Sequence, residues 1–81
     1  MGNVYYYNKA GKEIDLIIEM GNKIIPFEVK STAVIKKTDI NHLIGFMRKD
    51  DIKEGYLIYG GELDKFEEGD KEIYLLPYWL F

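Results

Sequence analysis

The sequence predicts an α+β domain, a mixed β-sheet with one helix packed on a face. Three observations predict it. Two stretches alternate apolar and polar residues on either side of a Gly-Asn pair, one apolar stripe recurs at helical spacing, and short apolar strands follow that stripe. The expected order is β-β-β-α-β-β. A chain of 81 residues holds a single domain, 1–81, which hides only about 60% of its unfolded surface.

Val4 to Asn8 (VYYYN) is aromatic and β-branched and reads as a first strand, ending at the turn Lys9-Ala10-Gly11-Lys12. From Glu13 to Met20, Ile14, Leu16 and Ile18 take one side, and Asp15, Ile17 and Glu19 the other. Gly21-Asn22 supplies a two-residue hairpin turn, glycine meeting the need for positive φ. Lys23 to Ser31 resumes the alternation, with Ile25, Phe27 and Val29 opposed by Ile24, Pro26, Glu28 and Lys30. Pro26 cannot donate to a ladder and suits an edge, a bulge or a strand start.

After a loop, Thr38 is the expected N-cap of a helix from Asp39 to Lys49, with Ile40, Leu43, Ile44 and Met47 on its apolar stripe. His42 falls nearly opposite that stripe and is expected in solvent. Gly55 to Tyr59 is a short strand closed by Gly60-Gly61. The acidic stretch Glu62 to Glu72 is expected as a solubilising loop. Ile73 to Leu76 is the last strand, which Pro77 stops before the aromatic tail Tyr78-Trp79-Leu80-Phe81. The helix supplies the crossover that a parallel strand pair requires.

Composition narrows the chemistry. Without cysteine there is no disulfide scaffold and no thiolate metal site, and a single histidine excludes a multi-histidine zinc centre. No apolar run is long enough to span a bilayer and no signal peptide is evident, so a cytoplasmic protein without membrane association is expected. Net charge is −3, but residues 1–49 carry eight Lys/Arg against five Asp/Glu, and residues 50–81 carry three against nine. Any phosphate-binding surface would have to sit on the first part, and the split equally suits ordinary solvated surface charge.

The hairpin register follows from the turn. A loop at Gly21-Asn22 pairs residues whose numbers sum to 43, which sets Asp15 opposite Glu28. Opposed side chains have Cβ atoms roughly 5 Å apart. Two carboxylates so placed suit a hard divalent cation, and Lys30 lies two residues beyond Glu28 on the same face. A cation flanked by a lysine is an arrangement for hydrolysing a phosphodiester. The same three residues equally suit a solvated face on which Lys30 balances two acids. A second acid-x-Lys triplet, Asp51-Ile52-Lys53, lies in a hydrophilic turn and carries no such meaning. Tyr5-Tyr6-Tyr7 suits cross-strand packing or base stacking, and Lys36-Lys37 a solvated loop or a phosphate contact.

The run Tyr5-Tyr6-Tyr7-Asn8, Gly11-Lys12-Glu13-Ile14-Asp15-Leu16-Ile17-Ile18 and then Ile25-Pro26-Phe27-Glu28-Val29-Lys30-Ser31 resembles the PD-(D/E)XK nuclease-like domain. It is most similar to the version at the C-terminus of predicted prokaryotic AAA-type P-loop ATPases. Glu54 to Tyr59 and Ile73 to Pro77 fit the closing strands of that family. The resemblance implies a restriction-endonuclease-like core. It implies that Asp15 and Glu28 bind Mg²⁺ or Mn²⁺ weakly, that Val29 offers a backbone carbonyl, and that Lys30 is the catalytic lysine. Nucleic acid is the implied partner, with a P-loop ATPase module in the parent protein.

The family core begins with a helix before its first strand, whereas this chain begins directly before that strand and contains no Gly-x-x-x-x-Gly-Lys-Ser/Thr motif. The expectation is a C-terminal fragment or a truncated paralogue lacking the N-terminal helix. Two functions fit: a metal-dependent phosphodiester-cleaving module, inactive if the truncation removes what it needs, or a non-catalytic structural or dimerisation module that retains the sheet. Apolar residues on both sheet faces against one helix predict a homodimer.

Overall fold

A computed structural model of the chain describes residues 3–5, 16–49 and 51–80. Its elements are β1 (Asn3–Tyr5), β2 (Leu16–Met20), β3 (Lys23–Val29), α1 (Lys37–Lys49), β4 (Glu54–Tyr59), β5 (Asp64–Glu68), β6 (Lys71–Pro77) and a short 3₁₀ turn, Tyr78–Leu80. The strands form one sheet in the order β1-β2-β3-β4-β6-β5. Pairing is antiparallel from β1 through β3, parallel at β3–β4 and β4–β6, and antiparallel again at β5–β6. The sheet is mixed, as expected, but has one strand more than the sequence predicts.

The additional strand is β5, which occupies the stretch expected as an acidic loop. Its residues, Asp64-Lys65-Phe66-Glu67-Glu68, hold one apolar side chain, Phe66, which faces Ile73 and packs against the core. The other positions are charged because β5 is a sheet edge, where charge discourages pairing with another chain.

The predicted hairpin register holds. Leu16 pairs with Phe27, Ile18 with Ile25 and Met20 with Lys23, and Gly21 turns at φ 63°. Pro26 lies within β3 and not at its start. It pairs with Ile17, but the parallel ladder to β4 begins only at Phe27, so the residue without an N–H stands where one flank of β3 is not yet paired.

The helix starts two residues earlier than predicted, at Lys37, and Thr38 lies inside it. Asp39 accounts for the shift. Its Oδ2 accepts the Lys36 N–H at 2.9 Å, the reciprocal half of a capping box, making Lys36 the N-cap. Ile40, Leu43, Ile44 and Met47 are buried against Leu57 and Tyr59 of β4 and Ile73 and Leu75 of β6, with Ile52 closing the lower end. Gly55 lets the helix come close, because a Cβ there would lie 3.0 Å from the Met47 sulfur. The helix therefore covers the face bearing Pro26 and Glu28.

The other face carries no helix among the described residues. Phe27, Tyr56 and Tyr74 stack across three strands with centroids 4.7 and 5.2 Å apart. Beside them the register places Glu54, Glu72 and Glu67 in one row. Lys23 pairs with Glu54 at 2.9 Å and Lys65 with Glu72 at 3.5 Å, relieving the repulsion. The Tyr74 hydroxyl donates to Glu72 at 2.6 Å. That bond, with burial next, pushes the tyrosine up to about 12, and the same bond, with the Lys65 charge next, lowers Glu72.

Spectrophotometric titration should therefore show one tyrosine ionising near about 12, above the ordinary value of about 10. Tyr74→Phe should remove that step and return Glu72 towards its usual value. Because the folded-state value is raised, the contact stabilises fully below about pH 10 and is lost as pH rises through about 12. A highest step that survives Tyr74→Phe would refute the assignment.

Candidate functional site

The candidate site lies where β3 ends beside the start of α1. Glu28 is the next-to-last residue of β3 and faces the helix, with its side chain 0% exposed. A solvated acid on an open sheet face is therefore not what the structure contains. A buried carboxylate is expensive to keep unless cations or hydrogen-bond donors surround it. Two cation-forming groups do: Lys30 Nζ and His42 Nδ1 each stand 3.5 Å from Glu28 Oε1.

Lys30 also stands 3.5 Å from Asp39 Oδ1, so its ammonium sits between a buried acid and the acid that caps the helix. Its backbone is held from both sides. The Lys30 N–H donates to Ile58 O at 2.8 Å, and its carbonyl accepts the Tyr78 hydroxyl from the 3₁₀ turn. The loop beyond is tied to β4 by the Gly60 N–H donating to Thr32 O at 2.7 Å.

Of the predicted residues, Glu28 and Lys30 come together as expected. Val29 lies between them in register with Ile58; its side chain alternates to the opposite face and is 47% exposed. Asp15 lies outside the described residues, as do Tyr6 and Tyr7 of the aromatic run. Tyr5 ends β1 and pairs with Ile17.

His42 corrects an expectation. Predicted in solvent, it is half-buried against Glu28, because it lies on the flank of α1 that overhangs the end of β3. Asp39 was not singled out by sequence reasoning as a site residue. The signal for it was present: an acid three residues after the N-cap, on the same helix flank as a histidine at i+3.

Among the described residues no group of three or more His, Asp or Glu side chains is arranged to hold a metal ion. The described donor set toward a hard cation is one carboxylate, Glu28, with a lysine and a histidine beside it. This set fits a divalent site only when a second acid joins it. No described helix is long and apolar enough to cross a membrane.

No curated protein and no solved structure matches this chain. The sequence profile of one family does, over residues 1–81, and its description is a domain of unknown function, DUF4143. The chain belongs to the DUF4143 family.

Proposed function

We propose that this domain is a metal-dependent, phosphodiester-cleaving module of PD-(D/E)XK type, with a restriction-endonuclease-like core, acting in a protein that also carries a P-loop ATPase. One observation carries the reading. The Glu28-Val29-Lys30 triplet ends a central strand with Glu28 wholly buried and Lys30 turned towards it, in a chain whose acid-x-Lys triplets would otherwise be solvated. Fixing a carboxylate in that place is costly for a merely structural sheet.

Asp15 and Glu28 would hold a Mg²⁺ or Mn²⁺ ion, with the Val29 carbonyl as a further oxygen. The bound ion would supply charge for a phosphoryl oxygen and acidify a water. Lys30 orients the attacking water or neutralises charge developing on the phosphate. His42 and Asp39 act as positioning residues: His42 fixes the Glu28 carboxylate from the helix side, and Asp39 holds the Lys30 ammonium.

Titrating Mn²⁺ into the domain should broaden the amide resonances of residues 27–30 and 14–16, and Glu28→Ala should abolish the effect. Amides there that stay sharp while others broaden would sink the proposal.

The open aromatic face favours a second reading, a non-catalytic module that dimerises through that surface. Burying a patch of several hundred Å² would drive association at roughly 25 cal/mol per Å². Lys23 and Lys65 neutralise the glutamate row within the chain, which lowers the repulsion between two copies of this face. Bound metal without cleavage, together with a concentration-dependent dimer in sedimentation, would select this reading.

A further inference from the structure

The loop from β3 to α1 borders a widely open cavity of about 240 Å³ lined by Lys30, Ser31, Thr32, Val34, Lys36 and Asp39. It opens on the Lys30 side of Glu28. Two of its walls bring ammonium groups and two bring hydroxyls. Its one carboxylate, Asp39, is engaged on both oxygens, Oδ2 by the Lys36 N–H at 2.9 Å and Oδ1 facing Lys30 at 3.5 Å.

The charge around it is local and basic. Lys30, Lys36 and Lys37 stand at this end of the loop against Glu28 and Asp39, in a chain of net charge −3. The loop is also held in shape. The Thr32 hydroxyl donates to Val34 O at 3.1 Å and accepts the Val34 N–H at 3.2 Å, while Thr32 O is pinned to Gly60. The N-cap N–H is taken by Asp39, so the attraction for an anion comes from the lysines and the Ser31 hydroxyl, not from the helix end.

Lys30 shares its charge between Glu28 and Asp39, which leaves exposed Lys36 as the cation able to meet an incoming group. A compact ammonium beside a hydroxyl suits a phosphate, whose oxygens accept from several directions without needing a bidentate partner.

We propose that this cavity binds a phosphate of a nucleic-acid strand, adjacent to the phosphate presented to Glu28, and that Lys36 is its principal contact. The assignment to a strand rests on the nuclease-like reading above. It makes Lys36 a binding residue that sets where the strand lies and has no part in the chemistry.

The test is an amide-shift titration of the intact chain with inorganic phosphate, without metal, and then with a short single-stranded oligonucleotide. Both probes should move Ser31, Thr32 and Lys36 saturably, and added NaCl should weaken the oligonucleotide effect. Lys36→Ala should weaken both by about fivefold, and Lys36→Glu should abolish them. Mn²⁺ broadening at residues 27–30 should persist in both variants, because Lys36 is exposed and holds no metal.

Phosphate shifts that survive Lys36→Glu, or that centre on other residues, overturn the pocket. Shifts with phosphate but none with the oligonucleotide overturn the strand assignment. Loss of Mn²⁺ binding in wild type alone would overturn the nuclease reading while leaving the phosphate-titration result to decide the pocket.

Discussion

Replacing Leu57 with alanine should leave the domain at the edge of unfolding. Leu57 is fully buried at the middle of β4, paired with Glu28 on one side and Leu75 on the other, under the helix stripe. Truncating such a leucine removes its transfer free energy and leaves a cavity, about 2–5 kcal/mol together. A domain of this length is stable by only about 4–12 kcal/mol. Thermal unfolding followed by circular dichroism should therefore shift down by about 10–30 °C. Tyr56→Ala, one residue away on the open face, should shift it less, since its ring is only half-buried. Equal shifts in the two variants would mean that the helix face is not the dominant core.

If the domain cleaves nucleic acid as proposed, Asp15→Asn, Glu28→Gln and Lys30→Ala should each lower that metal-dependent cleavage by at least about a hundredfold. The double variant Glu28→Gln/Lys30→Ala should be scarcely worse than either single one, because groups that act as a unit lose their effect together. The proximity of Lys30 Nζ to Glu28 Oε1, 3.5 Å, is the physical basis for that coupling. Additive losses would mean independent roles. Cleavage that survives all the variants would assign the activity elsewhere.

Much of the sheet was legible because its signals are local. The Gly21-Asn22 turn and the alternation on either side of it define one register, since a slip of one residue would exchange the faces of Leu16, Ile18, Ile25 and Phe27. The helix was legible through its stripe, but its start was not, because the cap uses the side chain of Asp39 rather than that of Thr38. β5 escaped notice since an edge strand needs only Phe66 to anchor it, and its charges read as a loop.

The site was half legible. Spacing found Glu28 and Lys30, but apolar residues on both sides of β3 gave no indication of which face the helix would cover. Helix position alone placed His42 in solvent. Only the crossing of α1 over the end of β3 brings it to Glu28, and that crossing is set by packing at Gly55 and Met47.

The two parallel joins of the sheet bear on how the molecule assembles. Every other pairing links neighbours in sequence, whereas β4 meets β3 only after the whole of α1 and meets β6 only after β5. Hairpins of the first kind form in microseconds, and pairings of the second must first close a long loop. The described sheet is thus a three-stranded antiparallel unit and a hairpin joined through a single strand, β4. Neither side owns a complete core without it: withdrawing β4 would expose Leu43, Met47, Ile73 and Glu28 together. The integrity of the described sheet therefore hangs on one strand of six residues.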